Sequence, residues 1–188
     1  MMRRMRGFQL RDTLFGDLPL EAWPDTEVAD YPWSAFIEAR TQGGAAAIGR
    51  WRGSAADETL ESRHRLQAWS FLRAAGVEPS ADDAKRLLGV VIEVAMPEGL
   101  DLLAAYADHT ARYFNYSGAG VIWDRPDPTL DTAIDALFQA SSNVLPHIGP
   151  WEGERPDAPE GDAARLNFLT PSGLHFGQAP MGALMGDG

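Results

Sequence analysis

Residues 57–75, "DETLESRHRLQAWSFLRAA", carry the clearest helical period in the chain, with Leu60, His64, Ala68, Phe71, Leu72 and Ala75 on one stripe. Asp57 is placed to cap this helix, Glu58 and Glu61 suit its positive end, and Gly76 followed by Val77 and Pro79 stops it. A shorter helix is expected in "PWSAFIEARTQGG", where Trp33, Phe36, Ile37 and Arg40 keep helical spacing ahead of a glycine pair. "AAAIGRWRGSAAD" is ambiguous, because its glycines interrupt a helix and a strand alike. Ser80, with Asp83 three residues on, predicts one further helical turn.

At Leu88 the period changes. "LGVVIEVAM", "LDLLAAYAD", "TARYFNY" and "GVIWD" are strand-like runs separated by "PEG", "DH" and "SGAG". Linkers this short leave no room for helical crossovers, so residues 88–124 are predicted to form an antiparallel β-meander. After "RPDP", residues Leu130, Ile134, Leu137, Phe138, Ser141 and Leu145 recur at helical steps, with Asp127 at the cap and Pro128 in the first turn. "ARLNFLTP" and "LHFGQ", joined through Ser172 and Gly173, read as a hairpin. The expected fold class is α+β, a meander packed against amphipathic helices with a C-terminal β-hairpin, in one domain spanning residues 1–188. Within it, residues 1–31 are expected to form an extended arm packed by Phe15, Leu18, Leu20 and Trp23. Residues 150–163 read as a mobile acidic, proline-rich loop and 179–188 as a flexible tail.

Composition narrows the functional classes. A net charge of −11 from 27 acidic and 16 basic residues opposes approach to a phosphate backbone or an anionic membrane, so neither nucleic acid nor membrane is expected as a partner. The arginines of "MMRRMR" read as a solvated start rather than a binding arm. With no cysteine, disulfides, thiolate metal sites and cysteine nucleophiles are excluded. "GFQLRDTLFGD" is broken by Arg11, Asp12 and Asp17, so no secretory signal is expected, and a cytoplasmic protein follows as the expectation. Lys85 is the single lysine among the 16 basic residues, an arginine bias that fits a GC-rich bacterial genome.

Reactive side chains are densest in "AAYADHTARYFNYSGAGVIW". Asp108 and His109 are adjacent, but neighbours in an extended chain point to opposite faces, so this is expected to be a turn rather than an acid–base pair. "NYSGAG", around Ser117, is not the G-x-S-x-G elbow of a serine hydrolase and reads as a turn. His64, His109, His147 and His175 show no short metal-ligand spacing, and no phosphate loop is present, so no metal and no cofactor is expected. His64 reads as a packed side chain and His147 as a loop residue. Of the tryptophans near element ends, Trp151 stands out, because it opens the acidic loop with Glu152, Glu154, Asp157 and Glu160.

These features point first to a non-catalytic protein that binds another protein, as an accessory, adaptor or inhibitor-like factor, using Trp151, Glu152, Glu154, Asp157 and Glu160. The alternative is a small hydrolase or ligand-binding domain with its pocket between the meander and the C-terminal hairpin. Asp108, His109, Arg112, Tyr113 and His175 are the side chains for that chemistry. The two readings separate on geometry: His109 and a carboxylate within hydrogen-bond reach in a concave pocket favour chemistry, and a solvent-facing turn favours interaction.

Overall fold

The structure is a computed structural model that describes residues 7–19, 31–124 and 127–186. Leu20, Trp23 and the "MMRRMR" start lie outside the described residues. At its centre is a six-stranded antiparallel sheet: β1 (Gly89–Met96), β2 (Gly99–Tyr106), β3 (Ala111–Phe114), β4 (Gly120–Trp123), β5 (Ala163–Thr170) and β6 (Gly173–Pro180), in the order β4-β3-β2-β1-β5-β6. The first four strands are the predicted meander, each paired with its sequence neighbour. The β5–β6 hairpin joins by pairing β5 along β1, so Glu93 lies between Leu102 and Arg165. Ser172 and Gly173 make the hairpin turn, where Gly173 has φ 121, a conformation that suits glycine.

Helices cover both faces of the sheet. On one face α6 (Asp131–Val144) buries Ile134 against Ala105 and Ala111, and Leu145 in the following 3-10 turn meets Val90 and Phe168. On the other face α4 (Ser62–Ala74) brings Leu66 onto Val91, Leu102, Ala104, Tyr106 and Leu169. Behind α4 lie α2 (Trp33–Gln42) and α3 (Gly44–Ala56), where Phe36, Trp51, Phe71 and Leu72 form a second core. Helix α4 is therefore buried on both sides, and Arg65 and Gln67 are buried with its apolar residues. A short α5 (Ala81–Ala84) is capped by Ser80, which accepts from the Asp83 amide as the spacing predicts. Among the described residues, no helix is long and apolar enough to cross a membrane.

Four local expectations change. Helix α6 starts at Asp131, past Asp127 and Pro128, because Asp127 accepts from the Thr129 amide at 2.9 Å in a turn before the helix. The ambiguous glycine-containing stretch is helix α3, because Ala47, Trp51 and Ala55 share a buried face that outweighs the propensity cost of its glycines. The long helix starts at Ser62 rather than Asp57: Asp57 turns on Thr59, accepting from its amide at 2.9 Å, and Asp108 from the β2–β3 turn accepts from the Ser62 amide at 2.6 Å. The cap is thus supplied by a residue 46 positions away. The N-terminal arm contains a helix, α1 (Gly7–Asp12), and the C-terminal tail carries another, α7 (Met181–Gly186). After α1 the chain buries Leu14 and Phe15 and passes so close to α4 that a Cβ on Gly16 would lie 2.8 Å from the Arg63 carbonyl oxygen.

Candidate functional site

The dense stretch resolves into scaffold. Asp108 Oδ1 accepts from the amide and hydroxyl of Thr110 at 3.0 and 2.8 Å, while its other oxygen caps α4. His109, at φ 63, turns the opposite way, and its Nε2 lies 2.8 Å from Asp135 on α6. Arg112 is buried on the α4 side of the sheet, 3.1 Å from Glu61 and above the Tyr106 ring. Tyr113, its neighbour on β3, points to the other face and donates to Asp101 at 2.8 Å. Asn115 closes the next turn by accepting from the Ser117 and Ala119 amides.

His175 is fully buried on β6, where burial pushes its pKa down. Its Nδ1 meets the Ile148 carbonyl oxygen at 3.2 Å, which requires that nitrogen to carry the proton and leaves Nε2 to accept from the Ser172 hydroxyl at 3.1 Å. The orienting group is a carbonyl, not a carboxylate. The five side chains named for catalysis are thus spread over the β2–β3 turn, both faces of β3, and β6. His64 packs edge-on against Trp33, and burial drives its pKa down to about 4. No group of three or more metal-binding side chains occurs among the described residues.

The open surface lies elsewhere, along residues 150–162. Glu93, 0% exposed at the middle of β1, is the anchor. It pairs with Arg11 of α1, lies 3.6 Å from Arg165 of β5, and accepts from the Asn167 amide group at 3.0 Å. Both guanidiniums reach past the carboxylate to the loop: Arg11 donates to the Pro156 carbonyl oxygen at 2.7 Å and Arg165 to that of Asp157 at 2.6 Å. With its carbonyls turned inward, the loop sends Glu152, Glu154, Asp157, Glu160 and Asp162 outward, all exposed. Arg155 turns back, 2.7 Å from Asp12, 3.1 Å from Asp17 and with its guanidinium carbon 4.1 Å from the centre of the Phe15 ring.

This ridge separates two concavities. One, of about 730 Å³, runs between α1, the Asp17–Leu18–Pro19 segment, α4 and the hairpin turn, with Trp151, Glu154 and Arg155 on its ridge side. The other, of about 550 Å³, is bounded by Asp157 and Glu160 from the ridge and by Glu98, Leu100 and Tyr116 from the meander. Trp151 is 48% exposed; its ring lies 5.1 Å from that of Phe176, its indole N–H donates to the Glu154 carbonyl, and its backbone N–H donates to the Leu174 carbonyl. Tyr116 is 47% exposed and is held by its amide on Asp101.

Four of the five residues named for partner binding therefore border a cavity, and Glu152 projects from the ridge between them. Asp108, His109, Arg112, Tyr113 and His175 line neither cavity. Sequence reasoning missed Asp17, Arg73 and Arg155, which come together from segments far apart in the chain. Burial raises the pKa of Asp17 and lowers that of Arg73, the latter without discharging a guanidinium near neutral pH. Comparison with protein-family models, with curated proteins and with solved structures finds no match to this chain.

Proposed function

We propose that this chain is a non-catalytic bacterial cytoplasmic protein that binds another protein, as an accessory, adaptor or inhibitor-like factor, through the acidic ridge and the aromatic side chains flanking it. One observation carries the reading: buried guanidiniums hold the Pro156 and Asp157 carbonyls from behind, so the backbone of the ridge is ordered there before a partner arrives. The partner presents basic side chains to Glu152, Glu154, Asp157 and Glu160, and apolar or cationic groups to Trp151 and Tyr116. Aromatic residues of this kind supply much of the affinity in interfaces, and the net charge of −11 speeds encounter with a basic surface. His109 has a carboxylate in reach, Asp135 at 2.8 Å, but the half-buried Asp108–His109 turn borders neither cavity, which supports interaction over chemistry there.

The test is affinity capture from a bacterial lysate with the full chain as bait, over a series of salt concentrations. A stoichiometric partner whose recovery falls as salt rises, and which is lost with Trp151→Ala, is the expected result. Recovery of no partner, or of one indifferent to salt and to Trp151, contradicts the proposal.

The hydrolase alternative retains one supporting contact, the Ser172 hydroxyl on His175 at the wall of the larger groove. Ester hydrolysis that disappears in Ser172→Ala would favour it.

A further inference from the structure

Three arginines line the larger groove, and two of them are committed. Arg11 is paired with Glu93, and Arg155 with Asp12 and Asp17. Among the described residues, the third, Arg73 in the last turn of α4, makes one hydrogen bond, from Nη1 to the Pro171 carbonyl oxygen at 2.7 Å, and has no carboxylate within ion-pair distance.

The ordinary role of a last-turn arginine is to cover free helix carbonyls. Here those carbonyls are already taken: the amides of Ala75, Gly76 and Val77 donate to Phe71, Arg73 and Leu72. Arg73 is half-buried in the wall of the cavity, burial lowers its pKa, and Asp17 and Glu78 act on its charge only from beyond ion-pair distance. Across from its Nε is Gly173, whose missing Cβ would lie 3.7 Å away, so this position puts no side chain over the guanidinium edge. Ser70, one helical turn earlier, adds a hydroxyl to the same wall, and Trp151 supplies a half-exposed aromatic ring on the ridge side.

We propose that this groove is a binding site for a small organic anion, a carboxylate or a phosphate monoester on a flat apolar body, with the anion on Arg73 and the body against Trp151. A volume of about 730 Å³ lies within the usual range for small-molecule sites, and a planar guanidinium with free donors matches the fork of either anion. Asp12 and Asp17 share the single positive charge of Arg155, which offsets one of the two, so the remaining carboxylate charge and that of Glu154 weigh against the anion, and its affinity rests on Arg73 and the ring contact. The groove shares Trp151 and Glu154 with the ridge, whereas Arg73 and Ser70 belong to the groove alone, so Arg73→Gln separates this inference from protein binding by the ridge.

The experiment is NMR titration of the full chain with phenyl phosphate, benzoate, inorganic phosphate and benzyl alcohol. Saturable shifts at Ser70, Arg73, Gly173 and the Trp151 indole N–H are expected with an aromatic anion. Phenyl phosphate against benzoate tells which anion the site prefers; inorganic phosphate and benzyl alcohol bind at least about 10-fold more weakly. Arg73→Gln weakens the preferred anion by about 10-fold or more and leaves benzyl alcohol unchanged, and Arg73→Lys restores part of the loss. Should Arg73→Gln not fold, Trp151→Ala tests the same site by removing the preference for phenyl phosphate over inorganic phosphate. Absence of saturable shifts at these positions with either aromatic anion at about 10 mM, or equal affinity in a folded Arg73→Gln chain, overturns the proposal.

Discussion

The β2–β3 turn and the ridge at 150–162 are both rich in polar side chains, yet they spend them differently. In the turn, each reactive group is spent on the fold: Asp108 caps α4, His109 ties to α6, and Arg112 is held over Tyr106 beside Glu61. In the ridge, the backbone is what the fold consumes, through Arg11 and Arg165, and the carboxylates are left to solvent. Under the proposed function, a dense run of catalytic residue types is a poorer guide to the site than the groups that stay uncommitted after folding.

The comparison breaks most readily at its foundation. Glu93→Ala leaves two buried guanidiniums without their carboxylate and is expected to cost about 3–5 kcal/mol in urea unfolding. A loss below about 1 kcal/mol would mean that the ridge is not anchored through Glu93. Next in size, Asp108→Ala removes both the remote helix cap and the turn bond to Thr110, and should cost about 1–2 kcal/mol without changing partner binding. His109→Ala removes one partly exposed contact to Asp135, worth about 0.2–1 kcal/mol. Exposed ridge changes, Glu152→Gln with Glu160→Gln, should each stay within about 0.5 kcal/mol of the parent in stability while weakening a basic partner.

A pH series sharpens the scaffold side. Because burial lowers the pKa of His64 from 6.5 to about 4, the unfolded chain takes up this proton first as pH falls. Its contribution is complete above about 6.5 and is lost progressively toward 4. Replacing His64 with Leu should flatten the stability curve in that window; an unchanged slope would place the proton uptake on another group.

Much of the fold was legible in the chain. Val and Ile runs cut by "PEG", "DH" and "SGAG" leave little alternative to a meander, and Gly76 with Val77 marks the end of α4 where their amides close the helix. The start of α4 was not legible, because its cap comes from Asp108, across the fold. Glu93 read only as an interruption of an apolar strand; its meaning depends on Arg11 and Arg165, which reach it from other elements. The exposure of Trp151 and its acidic neighbours was legible because it follows from composition there. The place of Arg73 was not, since nothing local tells a last-turn arginine that covers carbonyls from one that reaches Pro171 across the fold.

The most direct test of the central claim is one capture experiment run with two baits in parallel, Trp151→Ala/Glu154→Gln in the ridge and His109→Ala/Asp135→Asn in the turn, each checked for folding. The account predicts that the ridge bait loses the partner that the parent chain retains, while the turn bait keeps it at the parent level. A partner lost from the turn bait and retained by the ridge bait would contradict it.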